Sequence, residues 1–301
     1  MRSSESFKDF LGPMLLIIIC WGLNFTVIKY ALSEIDPIAF RAISGLIGAL
    51  TIFIISKNPL QLLTIPWRDK RNIIIYSFLT VTLFQSFCTY GISLLPSGRA
   101  SILAYTMPVW AVILSIFFLK EPLTRQVGVA LFFGFLGIIM LIAREFTAIA
   151  GNPLGVIFML LAAVAWATAT IIFKKSRFTI PVAAIAFWSL LCGGIPLMLL
   201  SIAIENPFQS YSADIWLAIA YNAIVVFVIC HLAWFSVLKK IPANISSLAT
   251  LGVPLVSIVS GFIFLREIPH WTDIAGLALI LVSLFIVLAP PRLPEINKAP
   301  K

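Results

Sequence analysis

Charge is scarce in this chain: Asp, Glu, Lys and Arg make up 11% of 301 residues, against about 25% in an ordinary soluble domain. Hydrophobic residues fill 61% of it, which excludes a soluble globular fold. Acids are scarcer than bases, 12 against 21, and every acid falls in a tail, a loop or the end of an apolar stretch. A proton relay through buried Asp or Glu, common in pumps, therefore has no candidate. Histidine is nearly missing, at 2 residues, and no His and acid cluster has metal-ligand spacing. No metal or other cofactor is expected, and a membrane-embedded enzyme is disfavoured. Cys20, Cys88, Cys192 and Cys230 all lie inside apolar runs, without the spacing of a disulfide framework or a metal knuckle. There is no G-x-x-x-x-G-K-[ST] loop and no room for an ATPase domain. The net charge of +9 would suggest nucleic acid in a soluble chain; here it speaks of topology, and no nucleic-acid partner is expected.

What the chain has is apolar stretches, at about 11 to 28, 37 to 56, 72 to 95, 98 to 119, 126 to 143, 153 to 173, 181 to 203, 214 to 238, 243 to 265 and 271 to 289. Each suits a membrane helix of about 20 residues. The weakest boundary is Ser97 to Ser101, where a tight helical hairpin is required. Arg2 and Lys8 precede the first stretch as in a signal peptide, but no small-residue cleavage site follows. Basic residues stay on the cytoplasmic side. With the N-terminus inside, 16 of the 21 Lys and Arg lie inside, Lys29, Arg99, Arg144 and Arg266 lie outside, and Arg41 falls within the second span. Both termini, 1–10 and 290–301, are expected to be cytoplasmic tails at the cell (inner) membrane.

The halves resemble each other at an offset of 146 residues: Pro96 and Pro242, Ser101 and Ser247, Pro108 and Pro254, Phe118 and Phe264, Leu119 and Leu265, and Glu121 and Glu267. WGLNFTVIK from Trp21 also echoes WATATIIFK from Trp166. Each repeat holds five spans, and an odd number enters the second copy upside down. The fold class is therefore all-α integral membrane, ten transmembrane helices as two inverted-topology repeats, 11–143 and 153–289. Secondary transporters built this way bind near the midplane between repeats.

On these residues the sequence resembles the ten-span EamA-like transporters of the drug/metabolite transporter superfamily. The resemblance rests on the Trp-Gly start with Asn24, the mid-span Pro108 and Pro254, and the Leu-Lys-Glu and Leu-Arg-Glu endings at 119–121 and 265–267. It implies efflux of small metabolites, often amino acids or derivatives, through a central cavity, with spans 5 and 10 at the periphery.

His231 is ionisable within a span, and its repeat partner is Gln85. An intramembrane His is a functional hypothesis by default; a structural hydrogen bond between helices, worth roughly 0.6 kcal/mol, is the bland alternative. By i, i+3 and i+4 spacing, Phe227, Trp234 and Phe235 join His231, while Thr82, Cys88 and Thr89 join Gln85. Ser246, Thr250, Ser257 and Ser260 form a stripe on span 9 around Pro254, opposite Ser101, Tyr105 and Pro108 on span 4. Freed carbonyls and hydroxyls there can coordinate a substrate, or small residues can simply pack helices. Trp21, Asn24 and Trp166 sit too deep for an interfacial belt; they face the cavity, or the two tryptophans fill the interior as large aromatics do in membrane proteins. The predicted binding set is Trp21, Asn24, Gln85, Tyr105, Trp166, His231, Trp234, Thr250 and Ser257.

Trp67, Trp216 and Trp271 lie near span ends, as headgroup anchors do. Arg41 follows Glu34 and Asp36, and is expected to snorkel to the interface or pair with a nearby acid rather than bind a substrate carboxylate. Lys120 with Glu121, and Arg266 with Glu267, read as helix-end structure. Gly128, Gly134, Gly137 and Gly276 suit close helix contact within the chain or between two copies. The expected partners are a small-molecule substrate and the lipid bilayer. A facilitative channel and a lipid-moving protein are the alternatives from other classes.

Overall fold

The computed structural model describes residues 3–120, 123–147, 152–240 and 252–288. In lipid the backbone has no water to bond, so apolar stretches must bond internally as helices. The described residues are accordingly helical throughout, joined by short turns and without a strand.

In chain order the α-helices are α1 Ser3–Ala31, α2 Pro37–Ile55, α3 Pro59–Leu63, α4 Trp67–Ser77, α5 Phe84–Leu94, α6 Ser97–Ala104, α7 Met107–Leu119, α8 Arg125–Thr147 and α9 Pro153–Ser176. They continue with α10 Val182–Ile204, α11 Ala213–Ala220, α12 His231–Lys240, α13 Gly252–Leu265 and α14 Trp271–Leu288. Two π-helical stretches, π1 Phe78–Leu83 and π2 Tyr221–Cys230, join α4 to α5 and α11 to α12 without a break. Seven described helices are long and apolar enough to cross a membrane: Gly12–Ala31, Pro37–Ile55, Trp67–Leu94, Ser97–Phe118, Pro153–Phe173, Val182–Ile204 and Ala213–Phe235. Arg125–Leu141, Gly252–Leu265 and Trp271–Ser283 are shorter apolar helices.

Several boundaries differ from the expectation. The third stretch starts at Trp67, five residues early, because Asp69 is fully buried and accepts from the backbone N–H and hydroxyl of Thr179 at 3.2 and 2.7 Å. The hairpin turns at Leu95 and Pro96, just ahead of Ser97. The fourth stretch is not a kinked helix but two half-helices, interrupted at Tyr105 and Thr106. Pro108 explains the interruption: lacking an N–H, it cannot bond the Ala104 carbonyl four residues back.

Two helix starts are capped from a distance. The N-terminus of α2 has Pro37 and no side-chain bond from Asp36; instead Glu205, at the end of α10, accepts from the Ile38 and Ala39 N–H groups at 3.2 and 2.7 Å. Glu267 does the same for α6, accepting from the Ser97 N–H and hydroxyl at 2.7 and 2.6 Å. A carboxylate at a helix N-terminus satisfies orphan donors and complements the dipole. Lys29 serves the other helix end, donating to the Ile92 and Ser93 carbonyls of α5 at 2.9 Å each.

Element bounds follow the 146-residue offset. The last residue of α7, Leu119, corresponds to Leu265 at the end of α13, and the start of α8 at Arg125 corresponds to Trp271 at the start of α14. Lys120 and Arg266 both take left-handed backbone, at φ 56° and 55°, which fits the helix-end role expected of them. The π1 stretch maps onto residues 224–229, inside π2.

The two largest apolar clusters sit side by side. One gathers α1, α5, α6 and α9 around Phe25, Ile92, Leu103 and Met159; the other gathers α2, α4, α10 and π2 around Ile38, Ile73, Leu190 and Phe227. Helices α8 and α14 pack mainly on each other. Their contact uses Gly137, whose added Cβ would lie 3.0 Å from the Gly276 carbonyl oxygen, and Gly134, which faces Val109 and Ser283. Those three glycines thus serve packing within the chain, whereas Gly128 has nothing near it. Trp67, Trp216 and Trp271 are all exposed, as lipid-interface anchors must be.

Candidate binding cavity

A cavity of about 70 Å³ opens beside the first cluster, lined by Trp21, Asn24, Phe25 and Ile28 of α1, Arg41 of α2, and Phe84, Gln85 and Cys88 of α5. Ala104, Tyr105 and Met107 line it from the interrupted helix, Trp166 from α9, Val226 from π2 and His231 from α12. A water needs roughly 10–15 Å³ of such space, so the cavity holds a handful of waters. Both halves of the chain contribute walls, and Ala104, whose carbonyl Pro108 deprives of a helical donor, is part of them.

The aromatic wall has two groups of rings. Trp21 stands 5.6 Å from Trp234 and 6.2 Å from His231 between ring centroids, and Phe84 stands 4.8 Å from Trp166. His231 also contacts Phe227 at 5.6 Å. Its Nδ1 lies 2.8 Å from the Val226 carbonyl oxygen. A carbonyl only accepts, so Nδ1 carries the hydrogen and Nε2 of the neutral ring is an acceptor. Gln85 and His231 occupy equivalent places, 146 residues apart: Gln85 is the second residue of α5 after π1 and His231 the first of α12 after π2, and such stretches frequently mark functional sites.

A buried polar chain crosses the floor. Asn222 Nδ2 donates to Asn24 Oδ1 at 2.6 Å, and Arg41 Nη1 donates to Asn222 Oδ1 at 3.1 Å. Arg41 Nε donates to Thr89 Oγ1 at 2.6 Å, and Thr89 donates in turn to the Gln85 carbonyl at 2.7 Å. The guanidinium also lies over the rings of Phe40 and Phe227, at 5.7 and 6.0 Å.

Of the nine residues predicted from sequence, Trp21, Asn24, Gln85, Tyr105, Trp166 and His231 line this one cavity, and Trp234 stacks directly behind Trp21. Ser257 does not line it. Its hydroxyl is fully buried and donates to the Ser97 carbonyl at 3.1 Å, tying α13 to α6. Thr250, with Ser246, lies outside the described residues. Ser260 bonds Thr26 at 2.6 Å and so links α13 to α1. Thr82 does not share a face with Gln85: it donates to the Gly193 carbonyl at 3.0 Å, because π1 breaks the 3.6-residue spacing between them. Arg41 overturns the expectation set for it. It is 2% exposed and faces the interior, while Glu34 is taken up by the Ser212 N–H and hydroxyl at 3.2 and 3.0 Å. Asn222 was not singled out from sequence; an amide in the middle of the apolar run 214–238 was the available signal. Among the described residues no group of three or more His, Cys, Asp or Glu could hold a metal ion.

An all-helical bundle with seven described helices long and apolar enough to cross a membrane, enclosing a cavity walled by residues from both halves of the chain, is the architecture of an integral membrane protein. The EamA-like transporter family matches residues 11–143 and 153–289, and this chain belongs to that family. It is 27% identical to the uncharacterized transporter YoaV of Bacillus subtilis (strain 168) over 93% of this chain and 96% of that one. The uncharacterized transporter YvbV of the same organism is 30% identical over 90% and 88%. A probable amino-acid metabolite efflux pump of Escherichia coli (strain K12) is 26% identical over 90% and 92%. A protein of known crystal structure shares the fold, with a TM-score of 0.67 over 93% of this chain and 96% of that chain at 18% identity.

Proposed function

We propose that this transporter moves a small organic metabolite, an amino acid or a derivative of one, outward across the cell (inner) membrane. Ten spans, arranged as inverted repeats 11–143 and 153–289 with both termini cytoplasmic, would rock against each other around the cavity. The observation that carries the reading is the cavity itself: Trp21, Asn24, Gln85 and Tyr105 come from one repeat, Trp166 and His231 from the other. Its 70 Å³ is too small for an amino acid until the walls part, as alternating access requires. The E. coli relative named as an amino-acid metabolite efflux pump supports the substrate class. The orientation draws support from the outer-side cations: Lys29 caps α5, and Arg99 donates through Nε to Asp273 at 2.7 Å, so both have structural reasons to break the positive-inside pattern.

The test is counterflow of labelled amino acids in liposomes bearing the purified protein, with His231→Ala and Gln85→Ala beside the native chain. Counterflow in the native protein, lost in either variant with folding intact, supports the site. Unchanged flux in both variants returns His231 and Gln85 to structural roles. Uptake without counterflow marks a channel instead.

A further inference from the structure

We propose that Arg41 is the anchor for a carboxylate on the transported molecule, so that the substrate is an organic acid with an apolar or aromatic body. This rests on the cavity being the transport site. Arg41 is among the largest fully buried side chains of the protein. Its hydrogen-bond and ring partners among the described residues are neutral: the Thr89 hydroxyl, the Asn222 amide, the Cys88 thiol and the faces of Phe40 and Phe227. The fourteen residues lining the cavity include no Asp or Glu, and among the described residues no carboxylate pairs with this guanidinium. A buried cation without an anion is costly, and within membranes such residues mark substrate paths.

The same chain shows what it does with a buried arginine that has only a structural task. Arg99, also 2% exposed, is given Asp273. Arg41 is given dipoles, which orient the guanidinium without neutralising it. Its planar fork matches a carboxylate in two parallel hydrogen bonds. Trp21, Phe84 and Trp166, lining the same cavity, take the body of the molecule.

The experiment pairs a change in the ligand with a change in the protein. Binding and counterflow are measured for L-phenylalanine and 3-phenylpropionate against L-phenylalaninamide and 3-phenylpropionamide, on native protein and on Arg41→Gln. A hydrogen-bonded charge pair predicts that native protein prefers each acid over its amide by roughly ten- to a hundredfold. Arg41→Gln should reduce that preference to within about twofold, whereas damage to the fold would weaken acid and amide alike. Should Arg41→Gln not yield folded protein, the acid-to-amide ratio of the native chain decides alone. A native ratio near one, or a ratio preserved in Arg41→Gln, overturns the proposal and leaves the amino-acid reading standing. Transport of 3-phenylpropionate without L-phenylalanine supports the carboxylate anchor and overturns the amino-acid reading. Failure of every carboxylate to bind overturns both.

Discussion

Replacing Asn222 by aspartate puts a carboxylate where the amide oxygen now accepts from Arg41 Nη1 at 3.1 Å, giving the buried cation an internal counter-ion. The side chain keeps its shape. Asn24, which now accepts from Asn222 Nδ2 at 2.6 Å, needs only to rotate its amide to donate instead. A substrate carboxylate reaching the same guanidinium would then stand on the order of 5 Å from a second anion, a repulsion of about 3 kcal/mol at an effective dielectric of about 20. That corresponds to binding weaker by more than about a hundredfold. The new pair also offsets its own desolvation, so melting should stay within about 1 kcal/mol of native. Asn222→Ala is the contrast: it takes the partner from Arg41 Nη1 and the donor from Asn24, at a cost of roughly 1–2 kcal/mol, the upper end of side-chain hydrogen bonds measured within membranes. The assay is binding of 3-phenylpropionate together with thermal melting in detergent. Asn222→Asp that binds within threefold of native and melts like native would refute the reasoning, since the guanidinium would then not be a charge available to a ligand.

Gly193→Ala should cost about 1–3 kcal/mol, because its Cβ would overlap Val81 and lie 2.8 Å from the Ser77 carbonyl oxygen, forcing α10 away from π1. Gly128→Ala, with open space around it, should instead stabilise by about 0.5–1 kcal/mol through helix propensity; melting temperatures in one detergent compare the two. Asp273→Asn takes the carboxylate from buried Arg99 and should destabilise by about 3–5 kcal/mol, read as loss of the folded-protein peak on size exclusion after mild heating. Glu267→Gln keeps the shape of the α6 cap but not its charge, and about 1 kcal/mol of stability should go with it.

Much of the cavity wall was legible because it is written twice. Trp21 with Trp166 and Gln85 with His231 fall at matched places in the two halves, and a duplicated polar or aromatic position inside an apolar run has few uses besides a shared interface. Arg41 was misread for a local reason. With Glu34 and Asp36 just upstream it looks like an interface residue, yet its partner Asn222 is 181 positions away, on an element that no local pattern connects to it. Its omission from the inside and outside count was the remaining hint. The π stretches have no residue signature, and face assignments carried across them fail: one extra residue turns a helix by about 100°, enough to send Thr82 toward α10 while Gln85 meets the cavity. The break at Tyr105 was half legible, since Pro108 announces a lost bond but not whether the helix bends or parts.

That break makes one span answer to two sets of neighbours. Its first half, α6, is buried along its whole length and bolted to the other repeat by directional bonds: Glu267 and Ser257 to Ser97, Asp273 to Arg99. Its second half, α7, leans chiefly on α9 through aliphatic and aromatic surface. Helical bonding along the span is interrupted at Tyr105 and Thr106, so the rocking proposed above would meet least resistance there. In the proposed cycle the joint of that span and the wall of the cavity would meet at Tyr105, so whatever lies against this side chain would be felt directly by the hinge.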